Sequence, residues 1–377
     1  MWEAKLTQIC KVMSRPYSKY HQVYRLTTLQ RGRPTGLELS PTARWLCSTT
    51  DNGDLMVLRS AYGRIYFHIE MGHQNFITAI VWATDWQIIL GCFNGAVYTA
   101  TLTVNPSPGE NRVTLTNLLH DEDSPVRALA WDSDQKRLAV GYAKHVSVWQ
   151  RIHDKRPRVW EILDEFRAPS VDFDASGQVL SLWFSRTGTL VAELETGTIV
   201  WFSNATTTAT DASIEERCIG AASLSSDHSI LAASTRDQSV IIWPFLPNGP
   251  IVGLANTYQL ESGLEWSKFE SRTPVAVTRD RNIVCGTLDG TIVVVDCGGS
   301  RLQRIENVGL CAREIVTSER MIYASFTTAV DAVTIIVYCN NRAKQLLFQD
   351  IFSSPQVAEQ DMHFYSFEKV HSLNRKR

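Results

Sequence analysis

Seven times along this chain of 377 residues, two short β-forming runs are joined by a tight polar turn. A recurring unit of this size constrains folding more than composition does, because one copy cannot bury its own apolar face and must stack on the next. The first copy is Trp45–Thr50, the turn Asp51-Asn52-Gly53 and Asp54–Leu58; the second is Gln87–Cys92, Asn94-Gly95 and Ala96–Tyr98. The third is Arg137–Tyr142, Ala143-Lys144-His145 and Val146–Trp149; the fourth is Thr189–Ala192, Glu195-Thr196-Gly197 and Thr198–Trp201. The fifth is Ser229–Ser234, Arg236-Asp237-Gln238 and Ser239–Trp243; the sixth is Asn282–Cys285, Leu288-Asp289-Gly290 and Thr291–Asp296. The seventh, Met321–Ser325 and Val333–Tyr338, has a longer turn near Val330-Asp331. Three turns hold Asn-Gly or Asp-Gly, the pairs that suit type I′ hairpins with positive φ at both central residues. Gly53 and Gly95 are 42 residues apart, and two repeats from Gly197 to Gly290 take 93.

A further strand precedes each hairpin, at Thr35–Pro41, Ile77–Trp82, Val126–Asp132, Leu180–Ser185, Gly220–Ser225, Pro274–Thr278 and Glu314–Thr317. An outer strand follows several of them, as in Arg64–Ile69. Four strands per repeat at a spacing of about 40–45 residues predict an all-β, seven-bladed β-propeller of four-stranded antiparallel blades. An open ring leaves unpaired edges, so closure by the two chain ends is expected. His21–Thr28 is an outer strand without a hairpin of its own, and is expected to complete the last blade beside Thr334–Tyr338; Gln345–Phe348 is the rival for that place. The expected division is an N-terminal extension over 1–19, helical if Leu6, Ile9, Cys10 and Met13 form a stripe, a propeller over 20–345 and a tail over 346–377, partly helical or disordered, that ends in basic residues.

From about Tyr20 to Asn340 these units resemble WD-repeats. Gly72-His73 matches the Gly-His dipeptide of that family, Leu39-Ser40-Pro41 its inner-strand end, and Val148-Trp149, Val200-Trp201 and Ile242-Trp243 its closing tryptophan position. The Trp-Asp pair itself is not kept in register, since Trp149, Trp201 and Trp243 are followed by Gln150, Phe202 and Pro244. The resemblance implies a hydrogen-bonding structural role for His73. The three tryptophans, recurring at one repeat position, read as packing between blades.

Chemistry is sparse. No phosphate-cradling glycine motif, His-Glu-x-x-His, Gly-x-Ser-x-Gly or calcium loop occurs, so no catalytic, cofactor-binding or metal-binding residue is assigned and a non-enzyme is expected. Asp121-Glu122-Asp123 and Glu215-Glu216 read as solvated charge between repeats. Lysine and arginine number 37 against 39 acids, which leaves no field for a phosphate backbone, so nucleic acid is not an expected partner. Eight cysteines without a Cys-x-x-Cys pair read as small buried hydrophobes, and no apolar window approaches a membrane span. A cytoplasmic or nuclear location follows as an expectation.

What remains is the surface. The turns inside the hairpins and the connections between blades gather on one face of a propeller, where residues vary without disturbing the sheets. Candidate partner-binding residues there are Asp51, Asn52, Asn94, Lys144, His145, Glu195, Arg236, Asp237 and Asp289, with Arg127 at the entrance of an inner strand. The expected function is a non-catalytic scaffold, a monomeric propeller that binds other proteins or peptide segments. The alternatives are a subunit of a larger assembly, or an enzyme or small-ligand binder that uses the central channel.

Overall fold

In the computed structural model the repeating hairpins become antiparallel sheets, and the described residues contain strands but no helix. The described residues are 19–340 apart from 73–74, 105–110, 121–123, 135, 143–145, 152–159, 167–178, 185–189, 195–198, 203–218, 226, 236–238, 247–248, 251–254, 261–272, 288, 306–310, 319–320 and 328–331. The terminal segments 1–18 and 341–377, with the expected helices and the rival strand Gln345–Phe348, lie outside them.

The first strand, β1 (Tyr20–Arg31), belongs to the last sheet. The first sheet is β2 (Pro34–Leu39), β3 (Trp45–Thr50), β4 (Asp54–Arg59) and β5 (Ile65–Glu70); the second is β6 (Ile77–Thr84), β7 (Gln87–Cys92), β8 (Ala96–Thr103) and β9 (Arg112–His120). The third is β10 (Val126–Asp132), β11 (Arg137–Tyr142), β12 (Val146–Arg151) and β13 (Trp160–Phe166), and the fourth is β14 (Val179–Phe184), β15 (Leu190–Leu194) and β16 (Ile199–Phe202). The fifth is β17 (Ile219–Leu224), β18 (Ile230–Thr235) and β19 (Ser239–Leu246), with β20 (Gly249–Pro250) and β21 (Asn256–Gln259) both paired to β19. The sixth is β22 (Val275–Val277), β23 (Ile283–Gly286), β24 (Ile292–Val295) and β25 (Arg301–Ile305); the last is β26 (Cys311–Thr317), β27 (Met321–Thr327) and β28 (Ala332–Asn340), with β1 on its outer edge.

Six of these sheets are blades of four or more strands, which corrects the expectation of seven four-stranded blades. The sheet β14–β16 has three strands among the described residues. Residues 203–218, which follow β16, lie outside the described residues. Elsewhere an outer strand covers only one side of its blade and needs less apolar sequence than the strands inside it. In β5 only Phe67 is buried, whereas every residue of β3, β11 and β18 is buried. Second strands are enclosed on both faces and therefore read as continuous apolar or small runs.

Adjacent sheets share their cores. Trp45, Cys47 and Val57 of the first pack with Ile80, Trp82, Ile88 and Ala100 of the second, and Ile89 and Val97 pack with Val126, Leu129 and Leu138 of the third. Leu46, Met56 and Leu58 of the first sheet pack in the same way with Tyr323, Val333 and Ile335 of the last. Each fully buried Leu, Ile or Val of this kind contributes roughly 1.5–3 kcal/mol. β1 is held from three sides. It pairs with β28 from Tyr20↔Asn340 to Arg31↔Ala332, Tyr20 and Gln303 exchange hydrogen bonds of 2.8 and 2.9 Å, and the Tyr24 hydroxyl donates to the Ser60 carbonyl at 2.7 Å.

The hairpin turns differ from the type I′ expectation. Gly53, Gly95 and Gly290 have φ of 83°, 83° and 79°, but Asn52, Asn94 and Asp289 do not have positive φ. Each glycine N–H instead donates to the carbonyl three residues back, on Thr50, Cys92 and Thr287. This is a turn closed by a left-handed glycine, in which the polar residue before the glycine keeps an ordinary backbone.

Candidate functional site

The turns and connections at one end of the first two sheets are fastened to each other. The Arg33 N–H donates to Asp51 Oδ1 at 2.8 Å, and the Asp51 N–H returns a bond to the Arg33 carbonyl at 3.0 Å. The Met71 N–H donates to the Gly53 carbonyl at 2.9 Å, the Phe93 N–H to the Phe76 carbonyl at 2.9 Å, and Asn94 Nδ2 to Asn75 Oδ1 at 2.8 Å. A Cβ on Gly53 would lie 3.0 Å from the Gly72 carbonyl oxygen, so the turn and the connection touch through backbone and leave no room for a side chain.

A recurring irregularity aims one residue in six of the inner strands. β2, β6, β10, β14, β17 and β26 all slip register near their starts, which leaves Thr35, Thr78, Arg127, Leu180, Gly220 and Arg313 unpaired against the second strand. A bulge of this kind re-aims the side chain it carries. Thr35 Oγ1 donates to the Ile77 carbonyl at 2.9 Å and Thr78 Oγ1 to the Val126 carbonyl at 2.6 Å, so each threonine ties its strand to the residue just before the next bulge. The series stops at Arg127, whose guanidinium carbon lies 5.9 Å from the centre of the Phe93 ring. Phe93 is 52% exposed and meets Phe76 edge-on at 6.5 Å.

Of the residues singled out in the sequence, this end therefore gathers Asp51, Asn52, Asn94 and Arg127; the side chains of Asp51 and Asn52 crowd Gly32. Asp289 sits in the sixth sheet. Its Oδ1 accepts from Thr287 Oγ1 and from the Thr291 N–H at 3.0 Å, and Arg304 lies 3.5 Å from Oδ2. Burial opposes the Asp289 charge, but these bonds and Arg304 outweigh it and hold the carboxyl below its ordinary range. Lys144, His145, Glu195, Arg236, Asp237 and His73 lie outside the described residues. Trp149 and Trp243 occupy one register, opposite Leu138 and Leu231 of the preceding strands; Trp243 is 1% exposed and Trp149 packs on the core shared by the second and third sheets. Trp201 pairs with Val191 in β16.

Phe76, Phe93 and Asn75 were not among the sequence candidates. The signal for Phe93 was its place immediately before Asn94-Gly95, where a buried strand residue gives way to a turn.

Another group, on the first sheet, has the composition of a cation site. Asp54 pairs directly across from Glu70, His68 lies two residues back on the same face, and one ligand atom from each falls within 4.8 Å of the others. The cysteines described, Cys47, Cys92, Cys285, Cys297 and Cys339, are free thiols, and all but Cys297 are buried. No helix of the described residues is long and apolar enough to cross a membrane.

The family model for the WD domain, G-beta repeat, matches residues 113–150. That span runs from β9, the outer strand of the second sheet, through β10 and β11 into β12 of the third. This match and the propeller arrangement of the sheets together support a WD-repeat propeller protein. The offset between repeat and sheet in this WD-repeat protein is also the arrangement of β1 with β2–β4, where one outer strand is followed by the three inner strands of the next blade. No curated protein matches the chain.

Proposed function

We propose that this WD-repeat protein is a non-catalytic scaffold that holds partner proteins on the face carrying Asp51, Asn75, Phe93, Asn94 and Arg127. The observation that carries this reading is the backbone bonding between turns and connections, Met71 to Gly53 and Phe93 to Phe76, beneath an exposed aromatic side chain. Loops fixed before docking lose little entropy on binding, and an exposed aromatic ring supplies contact area at low entropic cost. Affinity capture from the native source, with the wild-type chain and a Phe93→Ser/Asn94→Ala variant side by side, tests the reading. Partners depleted by the variant support it; identical partner sets overturn it.

For the scaffold itself we infer a ring closed by β1. In support, the first strand of each sheet packs on the first strands of its neighbours in chain order, and β2 packs on β26. Deletion of residues 1–31 tests closure. It is expected to leave β28 as a bare edge and to turn a soluble monomer into aggregate, and a truncated chain that stays monomeric with an unchanged melting temperature overturns the inference.

A further inference from the structure

We infer that Arg127, with Phe93 and Phe76, forms an anchor for a carboxylate side chain in an acidic, partly apolar peptide segment. The inference rests on the proposed reading of this face as the partner-binding one, and adds the chemistry of what binds. At the equivalent bulges of the first two sheets the side chain is threonine, and its hydroxyl is spent on the neighbouring strand. The third sheet has a guanidinium there instead. Its Nε is buried without a hydrogen-bond partner, and among the described residues Arg127 is in no ion pair. A buried donor left unpaired is costly, and a carboxylate relieves it with two parallel bonds to the guanidinium edge.

Two acids of the same face are committed elsewhere: Asp51 to the Arg33 backbone, Asp289 to Thr287, Thr291 and Arg304. Arg127 itself keeps a positive charge that no acid among the described residues compensates. Its guanidinium carbon lies 5.9 Å from the centre of the Phe93 ring, within the range of a cation–π contact that favours the charge at this place. Phe76 and Phe93 offer an apolar step beside that charge, suited to the residue next to the acid.

The test is fluorescence anisotropy with a labelled octapeptide of alternating glutamate and leucine, titrated with the full chain, and with a counterpart that has glutamine for glutamate. The glutamate peptide is expected to bind saturably and at least about tenfold more tightly than the glutamine peptide, and to weaken as salt is raised. Arg127→Gln is expected to remove that preference, Arg127→Lys to keep part of it, and Arg44→Gln, at the opposite end of the sheets beside Trp45 and Trp86, to leave it unchanged. Thermal melts of the Arg127 variants show whether the fold persists. Equal binding of the two peptides, or a folded Arg127→Gln variant with undiminished preference, overturns the assignment. If Phe93→Ala weakens both peptides while Arg127→Gln weakens neither, the charge assignment falls and the face survives; if no substitution on the face affects either peptide, both readings fall.

Discussion

Asp227 accepts from both Nε and Nη2 of Arg281, at 3.1 and 2.8 Å, so a turn of the fifth sheet grips the matching turn of the sixth. Thr42 and Asp85 make the same kind of link between the first and second sheets through the Thr42 N–H and hydroxyl. Asp227 also accepts from Ser225 Oγ, Ser229 Oγ and the Ser229 N–H. Asp227→Ala is therefore expected to destabilise by about 1–2 kcal/mol, and Arg281→Ala, which removes only a partly exposed ion pair, by less than about 1 kcal/mol. Urea denaturation of the two single variants and the double variant measures both effects and their coupling.

The same carboxylate sets an acid limb. Burial raises the Asp227 pKa, but its serine partners and Arg281 outweigh that and hold it far below the usual range. A depressed native pKa gives stability that is complete above the unfolded value of about 3.9 and is lost as the pH falls below it. Thermal melts between about pH 2 and 5 should show the wild type losing stability more steeply than Asp227→Ala; parallel curves contradict this.

Glu38 shows the opposite sign. Its carboxyl is pushed up to about 8, first by burial and then by the charge of Glu314 on the adjoining sheet. The native state keeps a proton that the unfolded chain releases near pH 4.3, so stability falls as the pH rises from there to about 8 and then levels. Glu38→Gln is expected to flatten that decline, as read from melting temperatures at intervals across the range.

Asp132 and Arg137 pair at 2.8 Å with both side chains 9% exposed. Removing one member of a buried pair strands the other charge, so Asp132→Ala is expected to cost about 3–5 kcal/mol. Asp132→Ala combined with Arg137→Met should recover part of the loss, measured by denaturant titration.

Lys136 has φ of 56°, a left-handed conformation that a side chain resists, and the side chain itself is exposed. Lys136→Gly releases strain of roughly 1–2 kcal/mol but adds about 0.5–1 kcal/mol of chain entropy to lose on folding. A net gain near 0.5 kcal/mol is expected, visible as a higher urea midpoint with unchanged slope.

The parts of the fold legible in sequence are those enclosed on both sides. β3, β11 and β18 are buried throughout, and their apolar runs and the polar turns after them mark the repeat without reference to any signature motif. Outer strands were harder to read because water satisfies half of each one. Turn geometry was misread for a local reason: Asn-Gly fits two kinds of hairpin, and only the backbone reveals that the asparagine stays right-handed. At the candidate site, Arg127 was legible from its place at the strand entrance. Its partner Phe93 was not, because an aromatic at the end of an apolar run looks like core until the chain is seen turning beneath it.

The pairing of β1 with β28 has a consequence for synthesis. Tyr20 leaves the ribosome 320 residues before its partner Asn340, which at 5–20 residues per second is a delay on the order of tens of seconds. For that interval β1 has no mate, and any passing polypeptide edge competes for it. Production of this protein is therefore expected to depend on chaperone supply and growth temperature more than its finished stability suggests.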